Sequence, residues 1–489
     1  MLLSLTLAGA AVTGVRGQTR SIDRPATEPQ EADWSVTYVV RPALESGLVE
    51  MTAVLVGEVG SGVVWRYAEG VQRRGNLTRP DAYDGFGQQL RVTLHPRGWM
   101  ITGGSGAGMR LVWQVSAPGP EPVGVRGVGL GAEAIYAQGY ELFLAPDPEL
   151  TAVGADDETV GRGPVAIRWE VFFDIPISWR IIVPWEGVGR RYDPVTAGGL
   201  WNTIIAAGDF RRQTIRAAGV EVTIGIQGRR PALDASVGDI VRRILLFGQN
   251  TFGLVPGDRL TVLLPTVARG GEEVLRLGGS VALGWESTVR LPGDVGALHQ
   301  LAREIFGLWQ GALKGIPAWY VEGGTDYLAW LVLYRESLIP RATFRQQLLI
   351  AERRYRDHPQ TGEWSFAQEE ARFGTTLPEW PDLPLSAADM GSLARSRGVI
   401  VSLILDAVLA RETDGERRLI DLAGVVYRRT AGVEDHLVGD AALMAACAEV
   451  TGGNYLDSFF RDLVFIPGSP LVVEALTEIL ARESGQHPD

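Results

Sequence analysis

The stretch LHQLAREIFGLWQGALKGIPAWYVEGGTDYLAW (residues 298–330) predicts two helices joined by a short loop, and the rest of the chain can be organised around it. In the first helix, Ile305, Phe306 and Trp309 recur at a spacing typical of one buried helical face. The second helix opens on Glu322. We therefore expect a helix over residues 295–313, with these three apolar side chains mostly buried.

Two short motifs within this stretch have the frame of a zinc-peptidase site. In that frame the first helix reads H-E-x-x-H-x-W and the second W-x-x-E-G, whereas this chain reads REIFGLW (303–309) and WYVEG (319–323). Two histidines at i and i+4 bind Zn²⁺ together with a carboxylate from the next helix, and the glutamate beside the first is the general base. Arg303 cannot bind a cation and Gly307 has no side chain, so only Glu322 remains of the three ligand positions. That set does not make a zinc site.

Composition limits the classes of protein to consider. The 489 residues are enough for two or three domains, and the hydrophobic content of 46% is ordinary for soluble globular protein. A formal net charge of −12, without a basic run, argues against a nucleic-acid partner. Cys447 is the only cysteine, so no disulfide can form within the chain.

The amino-terminal residues predict export. Residues 1–17 form a short apolar run that ends in small residues, as in a secretory signal, although the basic leading segment is absent. A mis-called start or a disordered tail is the alternative. Residues 18–33 are polar and read as a linker, and no stretch of the chain is long and apolar enough to span a membrane. We expect a periplasmic or secreted protein.

The remaining chain predicts a multidomain α+β fold. Residues 34–185 alternate with period two and favour an antiparallel β-sandwich-like domain. Residues 186–291 mix strands with one helix, and residues 292–480 are dominated by helices. A small mixed sheet followed by a helical half is the layout of thermolysin-like (gluzincin) peptidases.

The order and spacing of several segments resemble the glycyl aminopeptidase family of gluzincins (metallopeptidase family sixty-one). The resemblance runs from about residue 34 to residue 480. It includes ISWRIIVPWE (177–186), RSRGVIVSLILDAVLARETDGERRLIDL (395–422) and TGGNYLDSFFRDLV (451–464), besides the 303–323 frame. It implies a zinc aminopeptidase fold with a β domain in front.

When the family's site residues are transferred to this chain, most of the positions that bind the metal hold residues that cannot bind it. The metal-ligand positions fall on Arg303, Gly307 and Glu322, and the general-base position falls on Glu304, which keeps its carboxylate. No zinc is therefore expected here, although zinc is the cofactor that the family implies. Asp326 falls where thermolysin-like enzymes place a carboxylate that orients a metal ligand.

Two further family motifs also differ. The Gly-Gly-Leu-Glu-His motif for substrate recognition falls on residues 278–282, expected on an edge strand, where Gly278 and Gly279 remain but the acid and the histidine do not. The Tyr-x-x-Gly motif, whose tyrosine is implied to stabilise the oxyanion, falls on Arg395 to Gly398. The resemblance thus implies a peptidase frame without its ligands, its substrate carboxylate or its oxyanion donor.

Three residues near the motifs carry separate expectations. His299 is expected to be a surface or cap histidine, because His299 and Glu304 lack the spacing of a ligand pair. Asp326 is expected to be a solvated helix charge, with an ion pair to an arginine as the alternative. Arg303 is expected to form an ion pair with Glu322, in place of the metal's charge; the alternative is that it points into solvent.

The leading hypothesis is an inactive homologue of the glycyl aminopeptidases that binds a peptide or protein partner. The alternatives are a hydrolase with a non-standard ligand set or one using Glu304 and Glu322 without metal, and a structural protein of the cell envelope whose β domain binds a partner. Stoichiometric zinc in the purified protein would separate the first hypothesis from the metal-dependent alternative.

Overall fold

The computed structural model describes residues 33–464 except 60–61, 69–76, 104–105, 118–127, 132, 153–164, 229, 254, 256, 268–272, 311–315, 318, 358–386, 431–438 and 454–455. The expected signal (1–17), all of the linker (18–33) except its last residue and the end of the helical region (465–480) therefore lie outside the described residues. So do residues 311–313, the expected end of the first motif helix. Among the described helices, none is long and apolar enough to cross a membrane.

The amino-terminal half is built from β-strands. Its largest sheet has seven strands, all antiparallel to their neighbours except β1 (Trp34–Ala43) and β11 (Ile167–Phe173), which are parallel. Every second residue of β1 is buried, from Trp34 to Val40, which gives the sheet its apolar inner face. In spatial order the strands are β13 (Glu186–Val188), β14 (Arg191–Asp193), β11 (Ile167–Phe173), β1 (Trp34–Ala43), β2 (Leu48–Val59), β7 (Gly106–Ser116) and β4 (Asp81–Asp84).

Two four-stranded antiparallel sheets complete this half. The first contains β10 (Ala145–Ala152), β3 (Gly62–Arg66), β6 (Gly98–Thr102) and β5 (Arg91–His95). The second contains β12 (Arg180–Ile182), β15 (Ile204–Gly208), β9 (Ala134–Gln138) and β8 (Gly129–Leu130), with short helices α1 (Gly139–Leu142) and α2 (Ala197–Trp201) beside it. The period-two alternation expected over residues 34–185 is seen in strands such as β1, β2 and β7. The boundary at residue 185 stays a prediction; the hairpin β13–β14, just after it, is part of the seven-stranded sheet.

A five-stranded mixed sheet and a long helix follow. The spatial order is β16 (Phe210–Ala217), β17 (Val220–Gln227), β18 (Arg259–Leu264), β20 (Ser280–Gly284) and β19 (Glu273–Leu277). Helix α3 (Pro231–Phe252) joins β17 to β18, which are parallel as such a crossover requires. The expectation that residues 278–282 lie on an edge strand is wrong, because β19 pairs outside β20 and forms the edge.

Helices dominate the rest of the described chain, as expected. They are α4 (Val295–Gln310), a π-helical turn (Trp319–Gly324), α5 (Thr325–Arg335), α6 (Arg341–Arg356), α7 (Ala387–Glu412), α8 (Leu419–Thr430), α9 (Asp440–Thr451), α10 (Asp457–Phe459) and a second π-helical turn (Phe460–Val464). The molecule is thus a mixed α+β protein with several sheets.

Among the described residues, three apolar cores hold these parts together. One fills the helical half and the mixed sheet, and a second fills the β-rich half. A third, smaller core packs the sheet of β12 and β15 onto the mixed sheet, with Tyr136 and Ile182 on one side and Phe210, Leu263 and Ala282 on the other. This third core joins the two halves of the molecule.

Candidate functional site

Helix α4 carries the first motif and is anchored by its apolar face. Ile305, Phe306 and Trp309 are fully buried, which confirms the expectation for this helix. The Trp309 ring stacks on Phe252 of α3, with centroids 5.4 Å apart. It also lies so close to Gly248 that a Cβ there would come within 2.5 Å of the ring. The motif tryptophan therefore fixes α4 against α3, leaving the opposite face of α4 for the site.

The second motif lies on a π-helical turn that contacts α7 backbone to backbone. A Cβ on Gly323 would lie 2.2 Å from the Cα of Gly398, and a Cβ on Gly398 would lie 2.1 Å from the Trp319 carbonyl oxygen. Both positions therefore require glycine. Glu322 directly precedes Gly323, and Arg395 lies on α7 one turn before Gly398. The contact between the two glycines therefore brings Glu322 and Arg395 to the same site.

Arg303 lies among three carboxylates. Its Nη1 donates to Glu304 Oε1 at 2.5 Å, its Nη2 donates to Glu322 Oε2, and its Nε is 2.6 Å from Asp326 Oδ1 in an ion pair. The expected Arg303–Glu322 ion pair is confirmed. Burial alone would lower the pKa of Arg303, but Asp326, Glu304 and Glu322 raise it above its ordinary value. The guanidinium is permanently charged here.

A second arginine occupies the space beside Gly307. Arg276 reaches over from β19, and a Cβ on Gly307 would lie only 1.3 Å from its Nη1. The same Nη1 donates to Glu304 Oε2 at 3.4 Å. The second ligand position of the zinc frame is thus filled by a cation from another element. The sequence analysis did not identify Arg276 as a site residue. The signal that could have identified it is an arginine between two leucines in the strand EVLRL, which precedes the two motifs.

A third arginine approaches from the Tyr-x-x-Gly position. Arg395 Nε is 3.5 Å from Asp326 Oδ2, and its Nη2 is 4.0 Å from Glu322 Oε2. Asp326 is 5% exposed, so its expectation as a solvated charge is wrong and the ion-pair alternative holds. Burial raises the pKa of Asp326 to about 6, against the opposing effect of Arg303 and Arg395.

His299 is part of the wall of the site. Its ring stacks on Trp330 with centroids 3.8 Å apart, and its Nε2 donates to the Asp326 carbonyl oxygen at 3.2 Å. The expectation of a surface or cap histidine is therefore wrong, since α5 covers this face of α4. Burial first, and then Arg303 and Arg395, lower the pKa of His299 to about 3, although the bond to the carbonyl opposes the shift. The imidazole is neutral at physiological pH.

These groups line a cleft of about 640 Å³. Its walls come from β19, α4, the π-helical turn, α5 and α7, so the structure brings Glu304, Glu322 and Asp326 together. Gly278 and Gly279 lie elsewhere, in the turn between β19 and β20, and line a neighbouring cavity. Gly278 has φ +53°, and a Cβ there would lie 2.1 Å from the Asn202 carbonyl oxygen. The backbone conformation and this close contact explain why the position is glycine, with no role in ligand binding needed.

The residues present do not fit a zinc ion. Arg303 and Arg276 place two cations where the frame would hold two imidazoles, and Glu322 is engaged by Arg303. Across the residues with described positions, no group of three or more histidine, cysteine, aspartate or glutamate side chains is arranged to hold a metal. In this arrangement the positive charges of three guanidiniums compensate the negative charges of three carboxylates.

The fold of this chain is similar to that of M1 zinc aminopeptidases of the aminopeptidase N type. An aminopeptidase N family protein from Idiomarina loihiensis has a TM-score of 0.72 to this chain at 16% identity, covering 91% of this chain and 78% of that one. A variant of a two-domain M1 zinc metallopeptidase bound to L-tryptophan has a TM-score of 0.50 at 14% identity, covering 90% and 97%. No family model and no curated protein matches the chain by sequence. At such identities the likeness shows the fold alone.

Proposed function

We propose that this chain is a non-catalytic homologue of the glycyl aminopeptidase type of gluzincin, which binds a peptide or protein partner in place of cleaving it. The observation that carries the proposal is the position of Arg303, whose guanidinium lies among Glu304, Glu322 and Asp326. A general base must be free to take a proton from an activated water. Glu304 is instead buried and engaged by two arginines, Arg303 and Arg276.

The charge balance supports a site that is stable without a metal. Three buried or half-buried carboxylates close together would repel one another and would bind a cation or protons. Arg276, Arg303 and Arg395 supply three positive charges within 4.0 Å of these carboxylates. The proposal therefore assigns the arginines the electrostatic role that a divalent ion has in a working peptidase.

Metal content and peptidase activity of the purified chain test this function. The protein is expressed with added zinc, and its metal is measured by mass spectrometry beside hydrolysis of glycyl and alanyl p-nitroanilides. We expect well below one zinc per chain and no hydrolysis above that of a heat-denatured sample. Stoichiometric zinc together with chelator-sensitive hydrolysis would overturn the proposal and support the alternative of a working hydrolase.

A gain-of-binding variant provides the positive control. Arg303→His alone is expected not to bind zinc tightly, because Gly307 offers no second ligand. The triple change Arg276→Ala, Arg303→His and Gly307→His restores two imidazoles and removes the side chain that would clash at position 307. We expect this variant to bind zinc, and adding Glu322→Gln to weaken that binding.

A further inference from the structure

A second cavity adjoins the cleft on the other side of Arg276. Its volume is about 1060 Å³, which is large enough for a short peptide. Trp169 and Trp185 line it from the β-rich half, while Leu277 and Leu308 line it from the edge of the mixed sheet and the end of α4. The cavity thus lies between the two halves, and its lining combines apolar with charged side chains.

Arg276 belongs to the walls of both cavities. A guanidinium has five N–H donors, and the described contacts use one of them, the 3.4 Å bond to Glu304. Glu304 also accepts a shorter bond, from Arg303. The Arg276 side chain is 31% exposed. It therefore keeps donors for a group that enters the larger cavity.

The other charged residues of the larger cavity are less suited to bind an anion. Arg259 is engaged by Glu221 at 2.7 Å and by Glu186 at 3.5 Å. The lining acids Glu186, Asp193 and Asp258 are exposed, so water screens their charge. Arg168, also in the lining, is exposed as well. Arg276 is the cation beside the buried walls formed by Gly307 and Leu308.

We propose that this larger cavity binds the carboxylate of a small ligand with an apolar body, and that the ligand is the free C-terminal residue of a short peptide. Arg276 would hold the carboxylate through two parallel N–H donors, a geometry that suits a guanidinium better than an ammonium group. Trp169 and Trp185 would contact the apolar side chain. The inference deepens the proposed function, because it rests on a chain that binds peptides without cleaving them.

Calorimetric titration with matched ligands tests the inference. The probes are glycyl-glycyl-phenylalanine, the same tripeptide with an amidated C-terminus, and 3-phenylpropanoate. We expect the acid to bind at least about tenfold more tightly than the amide, as a charge-assisted bidentate contact implies. Arg276→Gln should remove this preference, and Arg276→Lys should keep part of it. Arg259→Gln, in the same cavity, is the control and should change the acid's affinity less than about twofold.

Each remaining outcome has a defined meaning. Equal binding of acid and amide, no binding at millimolar concentration, or an unchanged preference in Arg276→Gln would overturn the carboxylate site. An equal loss in Arg276→Gln and Arg259→Gln would overturn it too, because it would indicate general electrostatic attraction. Tighter binding of 3-phenylpropanoate than of the tripeptide acid would overturn the peptide as the source. None of these results requires zinc or hydrolysis, so they leave the proposed function standing.

Discussion

Arg303 shows how one residue can change the electrostatics of a site while its surroundings keep their shape. Its three nitrogen atoms contact three different carboxylates, two from neighbouring helical elements and one from its own helix. The guanidinium keeps its charge at every pH that a folded protein tolerates. Removing it would therefore leave carboxylates that share one partly dry cleft without their main partner.

Replacing Arg303 by glutamine should lower the free energy of unfolding by about 3 kcal/mol at neutral pH, since it breaks a buried network of ion pairs. Urea denaturation of the purified variant measures this. The control is Arg395→Gln, whose side chain is 47% exposed and whose contacts are 3.5 and 4.0 Å long, with an expected loss below about 1 kcal/mol. Equal losses in the two variants would contradict a special role for Arg303.

Two neighbouring groups in the site titrate in opposite senses. His299 has a folded pKa of about 3, below its ordinary value, so its contribution to stability is present above pH 6.5 and declines as pH falls. Asp326 has a folded pKa of about 6, above its ordinary value, so its contribution is present below pH 3.8 and is lost as pH rises through about 6. Between about pH 4 and pH 6 the two contributions oppose each other.

Single substitutions should reveal this cancellation. In His299→Gln, the free energy of unfolding should decrease with rising pH relative to the wild type, by up to about 1.4 kcal/mol per pH unit between about pH 4 and pH 6. In Asp326→Asn, it should increase by a similar amount over the same range. Urea denaturation at three pH values measures the slopes. Two variants with slopes parallel to the wild type would show that neither group titrates as described.

At the scale of elements, two glycines that the motif frame singles out exist for different reasons. Gly398 contacts the backbone of the π-helical turn, so a side chain there would push two main chains apart. Gly307, in the interior of α4, faces the end of a flexible arginine side chain instead. Glycine within a helix lowers stability by about 1 kcal/mol relative to alanine. At position 307, the absence of a side chain leaves room for the Arg276 guanidinium.

Gly307→Ala should therefore behave differently in two backgrounds. In the wild type, the gain in helix propensity is offset by displacement of Arg276, and we expect a net change within about 1 kcal/mol. In an Arg276→Ala background, the same substitution should stabilise the protein by about 1 kcal/mol. Denaturation of the four proteins in this double-mutant cycle measures the coupling. Strict additivity would mean that Arg276 does not occupy the space beside Gly307.

The sequence was sufficient to predict individual helices and strands, but it did not predict the order of the strands within the mixed sheet. The spacing of Ile305, Phe306 and Trp309 was enough to predict α4 and its buried face, because helical periodicity is a local property. The position of residues 278–282 within the sheet was not predicted, because Glu273–Leu277 adds a strand outside them through a tight turn. Strand order depends on pairing between segments, which local patterns do not encode.

At the scale of the whole molecule, the small third core couples the two halves. Ile182 of β12 is fully buried, and it packs so tightly on β17 that a Cβ on Gly225 would lie 2.9 Å from it. Through this close contact, Ile182 packs the β-rich half against the mixed sheet. The larger cavity lies along the same boundary between the two halves.

Ile182→Ala should reduce the free energy of unfolding by about 2–4 kcal/mol, as is usual for a cavity in a packed core. Differential scanning calorimetry should also resolve two transitions in the variant, because the two larger cores would unfold separately. Ile177→Ala is the matched control: Ile177 is 90% exposed, and we expect a change within about 0.5 kcal/mol. The same thermogram for both variants would show that the third core does not couple the halves.

The mixed α+β architecture could be predicted from the sequence, and the composition of the site could be predicted only in part. The Arg303–Glu322 pair followed from the helical frame, because both positions were already aligned with ligand positions. The role of Arg276 depends on the contact between β19 and α4, and the burial of His299 depends on the contact between α4 and α5. Such contacts arise from tertiary packing, which the helical periodicity of α4 does not encode.

The placement of Arg276 beside Gly307 restricts how two histidines could arise at positions 303 and 307 by successive point mutations. Histidine at position 307 would collide with the Arg276 guanidinium, so that step is unfavourable while Arg276 remains. Removing Arg276 first brings no imidazole and takes a cation from beside Glu304. The effect of each substitution thus depends on the other, a form of epistasis in which every single step is neutral or harmful before the last. Arg276 and Gly307 together therefore disfavour the stepwise appearance of a histidine pair at positions 303 and 307.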